Sequence, residues 1–168
     1  MAGYVRFYAL AVLVVVLDQA TKFWVVGNFT LYESWTIIPG FFNLTYLTNT
    51  GAAFGMLAGR PALWRQVFFI GVALAALFIL VFMYRSFRQK SVFYELSLGL
   101  IAGGAVGNLI DRIRLGAVTD FLDVYIGSHH WPAFNVADSA ISVGVGIFIV
   151  FSFFFENKGD ESPGSIKE

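Results

Sequence analysis

The sequence predicts an all-α membrane protein of four transmembrane helices, with a small β-cradle and a short loop region on the outer face. Three observations lead there. Hydrophobic residues fill 58% and charged residues 13% of the 168 positions, and the mean hydropathy is +0.72, well outside globular usage. Four blocks, Phe7–Leu17, Gln66–Tyr84, Leu96–Ile110 and Ser139–Phe155, carry no charge, and with their flanks each reaches the ~20 residues that cross ~30 Å of hydrocarbon. Between the blocks lie two segments of β-type composition.

In chain order, the first span is expected at 5–26. It follows Arg6 and runs past Asp18 and Lys22 to Phe29 without a small-residue cleavage site, so it reads as a retained helix and not a removed leader. The stretch "LYESWTIIPGFFNLTYLTNTGAAFG" places Thr, Tyr, Phe and Ile around Pro39-Gly40, which predicts two short strands about a turn. The second span is expected at 64–84 and the third at 94–113. "AVTDFLDVYI" is a further extended piece, and a loop with the adjacent His129 and His130 leads to the fourth span at 134–156. Residues 1–156 form one membrane domain on this reading, and the polar tail 157–168 is expected to be disordered.

Arg6, then Arg85, Arg88 and Lys90 between spans two and three, then Lys158 and Lys167 mark the cytoplasmic side, so both termini face the cytoplasm. Trp24, Trp35, Trp64 and Trp131 gather at the opposite side, as interfacial aromatics do. The net charge is zero, which gives no electrostatic footprint for nucleic acid. There is no cysteine, so thiol nucleophiles, disulfides and thiolate metal sites are excluded together. Two adjacent loop histidines are poorly placed to chelate one ion, and neither a metal nor a cofactor is expected.

Polar residues inside the spans share one depth. The third span has Gly99, Gly103 and Gly107 at four-residue spacing, a small-residue stripe that permits close helix approach. Beside it Gly104, Asn108, Asp111 and Arg112 lie on one face. Asn135, Asp138, Ser139 and Ser142 repeat the pattern in the fourth span, and Asp18 precedes Lys22 by one turn in the first. A charged residue near a helix centre costs roughly 2.5–3.5 kcal/mol on insertion scales, so these groups must face one another. Asp18 and Lys22 can neutralise each other and pin the bundle. Asp111 and Arg112 point ~100° apart and reach different partners, and Asn108 and Asn135 can serve as interhelical hydrogen bonds.

Asp120 and Asp138 differ in having no adjacent cation in sequence. Asp138 is expected one to two turns into the fourth helix, with Asp120 folding back above it from the extended loop. Two half-buried carboxylates that meet cannot both ionise cheaply, and such a pair can activate water. A proton relay and simple capping by Asp138 are the alternatives that spacing leaves open. So are a proton-coupled transporter, which needs polar groups toward both faces, and a non-enzymatic scaffold, which needs no unpaired aspartates.

"DQATK" at 18–22, "NTGAAF" at 49–54, "GGAVGNLIDR" at 103–112, "GAVTDF" at 116–121 and "FNVADSA" at 134–140 resemble, in order and spacing, the bacterial lipoprotein signal peptidase (signal peptidase II) family. The resemblance covers about residues 10–155. It implies a four-helix inner-membrane aspartic endopeptidase with an outer-face β-cradle, cutting diacylglyceryl-modified prolipoproteins just before the lipidated cysteine. It assigns the catalytic dyad to Asp120 and Asp138, and substrate positioning and dyad support to Asn49, Asn108, Arg112 and Asn135. Asp18, Lys22, Asp111 and Gly104 fall at structural positions, and Asp123 lies near the dyad but outside the motif. The expected partners are the prolipoprotein and membrane lipid, with the enzyme a monomer. The glycine-rich loop 47–60 is expected to cover the site, since glycine opens backbone conformations closed to other residues.

Overall fold

The computed structural model describes residues 2–51 and 62–156. The tail expected to be disordered lies outside these residues, as does the expected cover loop beyond Gly51. Four helices are long and apolar enough to cross a membrane: α1 (Ala2–Asn28), α2 (Ala62–Phe87), α3 (Val92–Leu115) and α4 (Val136–Phe151), the last continued by a π-helical turn at Ser152–Glu156. Helix α3 is the axle. More than half of its apolar window is buried, whereas α2 and α4 leave most of theirs facing outward, as lipid-facing helices do.

The glycine stripe explains how α1 approaches α3. A Cβ on Gly103 would fall 2.7 Å from both the Ala11 carbonyl oxygen and Val14 Cβ, and one on Gly107 would fall 2.6 Å from Asp18 Oδ2. Gly104 faces the other neighbour, where a Cβ would strike the Ala137 carbonyl oxygen. Its contribution is therefore close passage of the first turn of α4, and not a polar contact. At the far end of the bundle, away from the strands, Arg6 of α1 pairs with buried Glu95 of α3 at 2.7 Å.

The strands are β1 (Ser34–Ile38), β2 (Phe42–Asn49), β3 (Val118–Ile126) and β4 (His129–His130), in the antiparallel order β1-β2-β3-β4. The two histidines expected in a loop thus form a short strand against Tyr125 and Ile126, because the tight turn at Gly127 (φ 61) folds the chain straight back. The sheet caps the end of the bundle where α1 and α3 finish and α4 begins. Phe121 of β3 is buried with Val25 of α1 and with Phe29 just past its end, and Leu44, Tyr46 and Leu122 pack against them.

The β2–β3 register slips between Leu44, opposite Leu122, and Leu47, opposite Asp120, so that three steps of β2 face two of β3. Leu44 and Tyr46 pack toward α1, and Leu47 and Asn49 line a cleft. At the slip, Phe121 and Leu122 both donate their backbone N–H to the Phe134 carbonyl, at 3.0 and 2.8 Å, and both pack toward α1. Two successive residues on one side interrupt the two-residue period. Asp120 and Asp123, which a regular strand would send to opposite faces, emerge on the same one.

Candidate active site

Asp138 occupies the third residue of α4, inside its first turn and not one to two turns along it. Asn135 is the N-cap. Its side-chain oxygen accepts from the Asp138 N–H at 2.9 Å, while Asp138 Oδ2 accepts from the Asn135 N–H at 3.3 Å. This reciprocal capping box satisfies two of the orphan amides at a helix start. It also turns the other Asp138 oxygen outward, where Asn108 Nδ2 donates to it at 2.7 Å. One carboxylate thus both caps α4 and accepts a hydrogen bond from α3.

Asp120, from β3, accepts from Asn135 Nδ2 at 2.8 Å on one oxygen and from Asn49 Nδ2 at 3.2 Å on the other. Asn135 therefore joins the two aspartates directly. Three asparagines surround the pair, and each has its amide oxygen occupied by another donor: Lys22 Nζ on Asn108 at 3.0 Å, the Gly51 N–H on Asn49 at 3.0 Å, and the Asp138 N–H on Asn135. With the oxygens held, the NH₂ groups are left pointing at carboxylates. Burial of Asp120, followed by the nearby Asp138 charge, lifts its carboxyl to about 7, against the opposing pull of the Asn49 and Asn135 hydrogen bonds.

Beneath this layer lies a buried charge cluster. The Lys22 ammonium spends its three N–H groups on Asp18 at 2.9 Å, Asp111 at 3.2 Å and Asn108. Lys22 is thus shared by two carboxylates and not neutralised by Asp18 alone. Asp18 Oδ1 accepts from the Ala137 N–H of α4 at 3.0 Å, and Asp111 Oδ2, the oxygen that also faces Lys22, accepts from the Thr119 N–H of β3 at 3.0 Å. Gln19 donates to both carboxylates at 3.1 Å. This cluster ties α1, α3, α4 and β3 at one level. Gln19 carries no signal of its own in the sequence, although it stands inside the same motif as Asp18 and Lys22.

Arg112 goes elsewhere, as its divergence from Asp111 predicts. Its guanidinium lies 4.1 Å from the centre of the Phe69 ring of α2 and donates to the Gly51 carbonyl at 3.0 Å. Gln66 of α2 holds the Arg112 carbonyl at 3.1 Å. Sequence patterning gave no sign of Phe69 or Gln66, since both contacts are made between helices distant in the chain. A cleft of about 860 Å³ opens over all of this, bounded by Asn49, Asn108, Arg112, Asp120 and Asp138, with Val118, Trp131 and Val143 as apolar walls. Among the described residues, no group of three His, Asp or Glu could hold a metal ion.

Four apolar spans, a sheet seated on one end, and two joined carboxylates in a cleft at that junction define a multi-pass membrane protein with a paired-aspartate site. The family model described as signal peptidase (SPase) II matches residues 10–154. A lipoprotein signal peptidase of Syntrophus aciditrophicus is 51% identical over 92% of this chain and 95% of its own length. One of Maridesulfovibrio salexigens is 49% identical over 89% and 94%. A bacterial membrane enzyme solved in meso at 2.3 Å superposes with a TM-score of 0.81 at 32% identity, covering 96% of this chain and 94% of that one. The chain belongs to the signal peptidase II family.

Proposed function

We propose that this protein is an aspartic endopeptidase that removes signal peptides from prolipoproteins carrying a diacylglyceryl-modified cysteine, cutting just before that cysteine. The observation that carries the reading is the meeting of Asp120 and Asp138 in one cleft where helices give way to sheet. A substrate that is itself a membrane helix with a lipid anchor presents its scissile bond at that depth. Lifting the anchor into water would cost ~0.8 kcal/mol per CH₂, whereas a cleft open at the bundle edge leaves it in lipid.

The chemistry uses one proton shared by the pair. Asp120, whose carboxyl is lifted toward neutral pH, carries it and hydrogen-bonds the scissile carbonyl. Ionised Asp138 takes a proton from water as the water oxygen attacks the carbonyl carbon. The tetrahedral intermediate collapses when the proton on Asp138 passes to the departing cysteine nitrogen. Asp120 recovers its own proton as the carbonyl reforms, and the signal peptide leaves with a new carboxyl group. Asn49, Asn108 and Asn135 hold the carboxylates in register, and Arg112 positions the substrate beside Gly51. The active side faces outward from the bacterial inner membrane, both termini are cytoplasmic, and the enzyme acts as a monomer. Purified protein in lipid nanodiscs should release the signal peptide from a lipidated precursor. Asp120→Asn and Asp138→Asn proteins, folded to the same degree, should not.

A further inference from the structure

A second pocket, of about 440 Å³, adjoins the cleft, and Leu47, Trp131, Pro132 and Ala133 line both. Its polar end is Asp123 with His130. The Asp123 carboxylate is buried, with one oxygen 2.8 Å from His130 Nδ1 and the other accepting from Asn43 Nδ2 at 2.9 Å. The His130 ring is stacked on Tyr125 at 4.7 Å and 9°. This is a fixed constellation spanning β2, β3 and β4, and the two-aspartate mechanism makes no use of it. It adjoins the dyad's cleft where the β2–β3 register slips at Phe121 and Leu122.

We infer that this pocket is the subsite for the second and third residues of the released protein, counting the modified cysteine as the first. The inference rests on the peptidase reading of the dyad. A polypeptide crossing the cleft has its signal segment among the helices, so the chain after the scissile bond must leave along the sheet. Asp123 lies three residues beyond Asp120 on one strand, roughly 10 Å at ~3.3 Å per residue. Two or three extended substrate residues cover the same length. Both Asp123 oxygens are engaged, so this residue sets the geometry and His130 meets the substrate. With Nδ1–H held by Asp123, a neutral His130 ring offers Nε2 as an acceptor. Side chains that donate a hydrogen bond, such as Ser, Thr or Asn, are favoured there over Leu or Val.

The test uses lipidated precursors identical up to and including the cysteine and differing at the next two residues. The wild-type protein should cleave the Ser or Asn forms with kcat/KM about fivefold above the Leu forms, the order expected of one hydrogen bond. His130→Ala and Asp123→Asn should bring that ratio close to one through KM, with kcat on the Leu form unchanged. A benzophenone residue at the third position should crosslink to the segment 129–133. Wild-type indifference to these residues, an unchanged ratio in both variants, or crosslinks confined to the helices would overturn the subsite while leaving the peptidase reading intact. Failure to cleave any lipidated precursor would overturn both.

Discussion

Replacing Lys22 with Met removes the cation shared by Asp18 and Asp111, at 2.9 and 3.2 Å, in a site where all three side chains are at most 4% exposed. Met fills most of the lysine volume, so the cost is electrostatic and not a cavity. Breaking a buried pair by deleting one partner typically costs ~3–5 kcal/mol, because the remaining charge is stranded. Here two carboxylates are stranded, partly relieved by the Ala137 and Thr119 N–H groups and by Gln19. The lower half of that range is therefore expected, about 3 kcal/mol, or roughly 10 °C in Tm for a chain of this size. Asn108 also loses the donor that orients its amide, so activity should fall even at temperatures where the variant is folded. Thermal unfolding in detergent micelles, repeated in an Asp111→Asn background, gives the coupling between the two positions. With only Asp18 left to strand, Lys22→Met should cost at least about 1 kcal/mol less there. A Tm within 1–2 °C of wild type, or strictly additive losses, would refute the shared-cation account.

Other outcomes depend on the same geometry. Asp120→Asn and Asp138→Asn should each lower kcat by roughly 10³-fold or more with little change in Tm, while Asp123→Asn keeps kcat; the reverse order would move the dyad. Because Asp120 must hold a proton, kcat/KM should fall about tenfold per pH unit above about 7, and a profile flat to pH 9 would exclude it as the acid. The sign for stability agrees: a carboxyl whose folded value is raised contributes most below its unfolded value, and the contribution is lost as pH rises through about 7. Gly103→Leu should prevent close approach of α1 and α3 and abolish recovery of folded protein, whereas Gly71→Leu, with nothing within 4 Å of the added Cβ, should be tolerated.

The four spans were legible because lipid demands long apolar runs, and the site was legible because polar residues at one depth must face each other. Asn135 and Asp138, three apart, fit a capping box, and capping by Asp138 is among the readings the spacing allows. What the spacing does not show is that α4 begins at Val136, which puts Asp138 in the first turn. The rest depended on contacts between distant segments. Nothing local in "TDFLDV" announces that Phe121 and Leu122 share one carbonyl, so the side of the sheet taken by Asp123 could not be read. The destination of Arg112 on Phe69, and the second carboxylate on Lys22, likewise follow from how helices meet and not from periodicity within one. Buried Glu95 has no local signature, since its partner Arg6 lies 89 positions away.

The central claim is that a lipid-anchored substrate is cut by the two aspartates. Its most direct test follows hydrolysis of one precursor, with and without diacylglyceryl on the cysteine, by purified protein in nanodiscs, with the new amino terminus identified by mass spectrometry. The account predicts a product beginning at the modified cysteine from the lipidated form alone, and none from Asp138→Asn protein. Equal cleavage of both forms, or undiminished cleavage by the Asp138 variant, would contradict it.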